Sequence, residues 1–327
     1  MSSPREILFG AAEIGPSLPV CDHYAGVEAL MRKSLQLQAE LGPIFDITLD
    51  NEDGAPVGAE VDQALLIASM LSSPDNRFGR VGVRLLPVEH PRFEDVARIV
   101  LDAARAPAYL MLPKPEGLAD LERAAQALDG WGAQETPLHA LIETHGALRE
   151  VFALAEHPRI ESLSFGLMDF VSAHRGAIPQ SAMQASGHSD HPLVHRAKIE
   201  IAAACHAAGK TPAHSVVTEF KDKRLIEAAA ERACRHLGYT RMWSIHPSQI
   251  RPIVDAFSPT VAEIDHAIDI ITAAQEAQWA PIRHNDTLHD RASYRYFWQV
   301  IERAQRTSLG AGLPAQWRLD WFGEPSA

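Results

Sequence analysis

Two carboxylates stand where short apolar runs give out. Glu143 closes the run in Ala140-Leu-Ile-Glu-Thr-His-Gly146, and Asp169 lies three residues beyond Gly166 in Ser162-Leu-Ser-Phe-Gly-Leu-Met-Asp169. If each run is a strand and the strand ends meet, the two acids converge as hard oxygen ligands. Such ligands suit Mg2+, with Mn2+ as the alternative, and Mg2+ keeps several of its waters. A cation there would polarise a carbonyl or alkoxide oxygen and stabilise a developing enolate, which is lyase or aldolase chemistry. An acid at a strand end also serves simply to cap the next helix. The pair therefore carries chemistry only in a fold that brings both ends to one face.

Other residue types fit the same chemistry. Arg84 carries a permanently charged, planar fork suited to the carboxylate of a 2-oxo or 2-hydroxy acid. Asp50, Glu52 and Asp53 are close enough in sequence to repel one another unless a cation or an arginine is nearby. They are suited to hydrogen-bond the waters of a metal ion as an outer layer. Lys114, in Leu112-Pro-Lys-Pro115, suits support of a substrate or an acidic partner; a Schiff-base role would require a strongly lowered pKa, of which the sequence shows no sign. His188, His191 and His195 have the type for a transition-metal site, and the last two are four apart. In a chain with 16 histidines they read as loop and helix-surface residues.

The elements that must position these groups alternate. Short apolar runs at residues 7–12, 44–49, 81–86, 108–112, 138–142, 162–165, 215–220 and 241–245 are separated by longer segments of helical period. That alternation implies parallel strands joined by crossover helices. Eight such units predict a (β/α)8 barrel, an α/β fold, over residues 1–257, with an open doubly wound sheet as the alternative. In a barrel the active site lies at the C-terminal strand ends, where Asp50, Glu52, Asp53, Arg84, Lys114, Glu143, Asp169 and His246 fall. Residues 170–213 form a long excursion of the kind that makes a lid or a binding segment. Residues 258–327 add a helical extension: a helix at 261–279, a polar loop at 283–291 and a helix at 294–306. This extension suits covering the barrel mouth or packing on a neighbouring subunit, with Trp298, Trp317 and Trp321 at hand for such packing.

Composition narrows the class. The hydrophobic share is 46% and the charged share 22%, ordinary for a globular chain. A net charge of -12 argues against a nucleic-acid surface, which needs concentrated Lys and Arg. No run approaches the ~20 apolar residues that span a bilayer, and the first residues lack the apolar core of a signal peptide, so a cytoplasmic location without a membrane partner is expected. The three cysteines have no Cys-x-x-Cys spacing and read as reduced thiols.

In this order the motifs resemble the HpcH/HpaI aldolase and citrate lyase β-subunit family, which includes malyl-CoA lyases. The resemblance rests on Leu49-Asp-Asn-Glu-Asp-Gly54, Val83-Arg84, Leu112-Pro-Lys114, Ile142-Glu-Thr-His-Gly146, Phe165-Gly-Leu-Met-Asp169 and Trp243-Ser-Ile-His-Pro247. It implies a barrel, Mg2+ on Glu143 and Asp169, and Arg84 on the oxo-acid carboxylate. The implied reaction is reversible carbon–carbon cleavage of a 3-hydroxyacyl-CoA such as malyl-CoA or citramalyl-CoA. Alternatives are a class II aldolase acting on free 4-hydroxy-2-oxo acids, a thioester hydrolase, or a catalytically silent binding barrel. The resemblance further implies a homo-oligomer, a trimer or hexamer, in which a C-terminal segment covers a neighbour's site and an Asp of that segment transfers a proton. Asp290 is the nearest candidate for that Asp and Asp286 the second. Leu86 and the segment His214-Ser-Val-Val-Thr-Glu219 depart from the family's usual residues around the substrate.

Overall fold

A computed structural model describes residues 3–10, 18–54, 56–184, 191–307 and 315–322. The chain divides into two compact units, Leu18–Val254 and the pair of segments Met1–Ser17 and Asp255–Ala327. Among the described residues no helix is long and apolar enough to cross a membrane.

In chain order the first unit runs β1 (Cys21–Ala25), α2 (Glu28–Leu41), β2 (Phe45–Asp50), α3 (Glu60–Ser72), β3 (Val81–Arg84), α4 (Phe93–Leu101) and β4 (Leu110–Leu112). It continues with α5 (Leu118–Gly130), β5 (Leu138–Ile142), α6 (His145–Arg149), α7 (Val151–Glu156), β6 (Ile160–Phe165) and α8 (Leu167–Ser172). The last members are α9 (Pro192–Ala207), β7 (Thr211–His214), α10 (Lys223–His236), β8 (Arg241–Ser244) and α11 (Pro247–Phe257), whose residues from Asp255 onward belong to the second unit. The eight strands pair in parallel, each with its neighbour in sequence, and β8 closes on β1. This is the (β/α)8 barrel that the alternation predicts.

The first strand lies later in the chain than expected, at Cys21–Ala25. Of the expected run at 7–12, residues 7–9 do not enter the barrel but lie in α1 (Pro4–Phe9), and residues 11–12 fall outside the described residues. Ser3 and Glu6 cap the start of α1 reciprocally and Pro4 occupies its first turn, which is a helix-start signature. The true first strand, Cys-Asp-His-Tyr-Ala, carries three polar side chains and so lacks an apolar pattern. Its polarity is internal: Arg241 reaches Asp22 at 3.0 Å and Asp46 at 2.6 Å. Thr48 Oγ1 and the Tyr109 hydroxyl donate to Asp22 Oδ1 at 2.7 and 3.0 Å. This charge-paired floor of the barrel leaves each buried ion with partners, which is the condition for burying it.

The seventh strand lies earlier than the expected 215–220. Thr211–His214 pairs with β6 and β8, whereas residues 215–220 form the connection that follows it. That connection is held by Gln249 Nε2, which donates to Val217 O at 2.7 Å and Glu219 O at 3.1 Å.

In the second unit α1 joins α12 (Val261–Glu276), a hairpin of β9 (Ile282–His284) and β10 (Thr287–His289), α13 (Arg291–Arg306) and α14 (Ala315–Phe322). The polar stretch at 283–291, expected as a loop, includes all of this antiparallel hairpin but Ile282. Asn285 and Asp286 turn it with φ of 45° and 62°, values those two side chains tolerate best outside glycine. Trp298 packs edge-on to Trp321, and Trp317 stacks on Trp321 with centroids 4.5 Å apart. The core of this unit is built around Ile270, Ile271, Tyr294, Trp298 and Ile301.

Candidate active site

The register of β2 on β3 sets Asp50 directly opposite Arg84, and both side chains are buried. Arg84 Nε and Nη2 donate to the two Asp50 carboxylate oxygens at 2.6 and 2.9 Å, a fork-on-carboxylate pair. Burial works against the Asp50 carboxylate, yet Arg84 holds its pKa below the ordinary range. The chain then turns back over its own strand end: Glu52 N donates to Asp50 Oδ1 at 3.0 Å, and Gly54 N donates to Oδ2. That turn brings Glu52 within 2.9 Å of Arg84 Nη1 and Asp53 within 3.7 Å of Nη2.

Lys114 follows β4 and answers the same acids. Its Nζ lies 2.5 Å from Glu52, 3.4 Å from Asp53 and 3.6 Å from Asp169. Burial opposes its charge, but Glu52, Asp169 and Asp53 together raise its pKa. An amine so held stays protonated and is no Schiff-base nucleophile. Its backbone sits at φ 50°, and its N–H donates to Glu143 Oε1 at 2.8 Å.

Glu143 follows β5 and is 2% exposed. Burial first, and Asp169 second, push its carboxyl up to about 8. A buried carboxyl lifted so far lacks sufficient positive charge, which a divalent cation would supply. Asp169 lies in the first turn of α8, not at the strand end itself, and is part-exposed. Gly166 between them has no side chain because Glu143 fills the space: a Cβ there would stand 2.2 Å from Glu143 Oε2. The donor set is two hard carboxylates beside an acidic turn and an arginine. Among the described residues no three His, Cys, Asp or Glu side chains cluster as ligands. The pair therefore fits a cation that completes its shell with water and substrate oxygens, as Mg2+ does.

Asp50, Glu52, Asp53, Arg84, Lys114, Glu143 and Asp169 thus belong to one connected group. Sequence reading missed Tyr24 of β1, whose hydroxyl accepts from Arg84 Nη2 at 2.9 Å and donates to Asp50 Oδ2. Its strand, with Asp22, His23 and Tyr24 in a row, has no apolar run to announce it. His246 stacks on Phe220 and bonds Ser248. His191 and His195 lie at the start of α9, and His188 falls outside the described residues. Asp290, in the second unit, caps α13 by accepting from Ala292 N and Ser293 N. Asp286 is exposed and paired to Arg283.

A family model described as HpcH/HpaI aldolase/citrate lyase matches residues 44–247. The chain belongs to this family. A crystal structure named as a citrate lyase from Burkholderia xenovorans LB400 is 54% identical and covers 96% of this chain and 98% of its own, with a TM-score of 0.84. A (3S)-malyl-CoA thioesterase from Cereibacter sphaeroides is 29% identical over 238 residues, 71% of this chain and 75% of the relative. An L-malyl-CoA/beta-methylmalyl-CoA lyase from Rhodobacter capsulatus is 27% identical, covering 66% and 73%. The CitE protein of Mycobacterium tuberculosis, solved with magnesium, acetoacetate and coenzyme A, shares the fold at 18% identity and a TM-score of 0.68, covering 88% of this chain and 99% of its own. The aldolase/citrate lyase model spans the chain from just before β2 to just past β8, so all seven connected residues lie inside it.

Proposed function

We propose that the chain is a Mg2+-dependent carbon–carbon lyase acting on a 3-hydroxyacyl-CoA such as malyl-CoA or citramalyl-CoA. The observation that carries this reading is the buried, under-neutralised Glu143 beside Asp169, in one network with Arg84. Glu143 and Asp169 hold the cation. When bound, Mg2+ supplies Lewis-acid polarisation of the oxygen at the reacting carbon. Arg84 takes the substrate carboxylate, exchanging Glu52 for it on Nη1. Lys114 keeps Glu52 and Asp53 neutralised while they orient water around the cation.

In the cleavage direction the 3-hydroxyl proton is removed and the bond between C2 and C3 breaks. Its electrons pass to the thioester carbonyl as an enolate, which is protonated at C2, and the oxo acid stays on Arg84 until release. Asp290, supplied by the C-terminal unit of a neighbouring copy in a homo-oligomer, is the proposed proton carrier. Its capping bonds use only Oδ1.

Hydrolysis of the thioester is a second reading, favoured by the similarity to a malyl-CoA thioesterase; it ends in free CoA and the intact hydroxy acid. The test is purified protein with Mg2+ and a panel of malyl-CoA, methylmalyl-CoA, citramalyl-CoA and free 4-hydroxy-2-oxo acids. Glyoxylate or pyruvate release from a thioester, abolished in Glu143→Ala, supports the lyase. Release from free acids only, free CoA without an oxo acid, or no reaction overturns it.

A further inference from the structure

We infer that Tyr24 is a positioning residue that fixes the roll of the Arg84 guanidinium and so decides which of its nitrogens meets the substrate carboxylate. The inference rests on the proposed oxo-acid role of Arg84. An arginine fork has five N–H donors. Asp50 takes one from Nε and one from Nη2, which sets the plane of the group. Tyr24 takes the second hydrogen of Nη2 at 2.9 Å and passes its own to Asp50 Oδ2. The three groups thereby close a ring of hydrogen bonds that uses both hydrogens of Nη2, which also has Asp53 at 3.7 Å, and Nη1, 2.9 Å from Glu52, is left outside that ring. A carboxylate entering the site meets Nη1.

Four further observations hold the phenol and its strand in place. The Arg84 guanidinium lies over the Tyr24 ring, 5.1 Å from its centroid, an attractive geometry for a cation on an aromatic face. Trp243 stacks behind the ring at 6.1 Å and 16°. The strand that carries Tyr24 is locked to the strand that carries Asp50: Gln63 Nε2 donates to Gly26 O at 2.7 Å and Asp50 O at 2.8 Å. A Cβ on Gly26 would stand 2.9 Å from Gly54 Cα, so the two loops touch backbone to backbone. Tyr24 therefore cannot drift away from Arg84 without disturbing both strand ends.

The deciding experiment compares the full-length wild type with Tyr24→Phe and Tyr24→Leu, titrating Mg2+ and then oxalate by calorimetry, with KM and kcat measured on the substrate the wild type cleaves. Losing the hydroxyl frees the second hydrogen of Nη2 and leaves the Asp50 fork alone to hold the guanidinium, which can then hinge about it. Tyr24→Phe should weaken oxalate about tenfold and raise KM in step, with kcat and Mg2+ affinity within about twofold. Tyr24→Leu, which also loses the aromatic face, should weaken oxalate further. A merely structural tyrosine would lower melting temperature, Mg2+ affinity and oxalate affinity together. That parallel loss, or an unchanged oxalate affinity in Tyr24→Phe, overturns the inference. A wild type that binds Mg2+ and oxalate yet cleaves nothing defeats the lyase reading while the titrations still decide Tyr24; a wild type that binds no oxalate defeats both.

Discussion

Gly166→Ala isolates the fit between Glu143 and its surroundings. Gly166 sits at φ -87°, ψ 81°, with φ in the range open to any L-residue, so space rather than backbone freedom requires glycine. An added Cβ would lie 2.2 Å from Glu143 Oε2, 2.5 Å from its Cβ and 3.0 Å from its Cδ. Ordinary carbon–oxygen contact is about 3.5 Å, so the Glu143 carboxylate must move by about an ångström. Metal–ligand distances tolerate shifts of roughly 0.2 Å, so a cation held by Glu143 and Asp169 as proposed would lose one of its two protein ligands. Mg2+ affinity should fall at least about 100-fold, beyond the ~10–100-fold of losing a mere support for a ligand. Overpacking of this kind costs about 1–3 kcal/mol, so the barrel should stay folded. Calorimetric Mg2+ titration beside thermal unfolding measures both effects. Gly130→Ala is the control, because nothing lies within 4 Å of its added Cβ. A folded Gly166→Ala protein that binds Mg2+ as wild type does would refute the assignment of Glu143 as ligand.

Other consequences are independent of that variant. Because the Glu143 carboxyl is held up to about 8, it is mostly protonated at pH 7, and Mg2+ binding should expel about one proton. Calorimetry in buffers of different ionisation heat reads that proton, and Glu143→Gln should abolish it. Burial lowers His23 to about 4 from 6.5. Its unfolded form therefore takes up a proton first as pH falls, and stability is lost between about pH 6.5 and 4, by roughly 3 kcal/mol in all. Denaturant titrations should show that loss shrinking in His23→Gln. Arg84→Lys keeps the charge but loses the fork on Asp50, and should raise KM for the hydroxyacyl substrate about 100-fold; steady-state kinetics check it, and an unchanged KM would remove Arg84 from the substrate.

The barrel was legible because its helices and most of its strands have apolar faces of the regular periods. Its first strand was not, since Asp22 and Tyr24 spend their polarity inside the barrel on Arg241 and Arg84, and no local period announces a charged interior. The seventh strand, Thr-Pro-Ala-His, was hidden by the more apolar Val216-Val217 just after it. The charged residues of the site were legible because charges at successive strand ends have few structural explanations. Tyr24 became visible only once pairing of β1 with β2 set it beside Asp50 and Arg84. The 283–291 hairpin escaped because its strands are three residues each, too short for alternation to show.

Whether Glu143 and Asp169 hold the catalytic cation is decided most directly by diffraction from crystals grown with Mn2+ in place of Mg2+ and with oxalate. An anomalous peak is expected about 2.0–2.3 Å from an oxygen of each carboxylate, with oxalate between the metal and Arg84. A peak bound elsewhere, or none at this pair while the protein is saturated with Mn2+, would contradict the assignment of the pair as ligands.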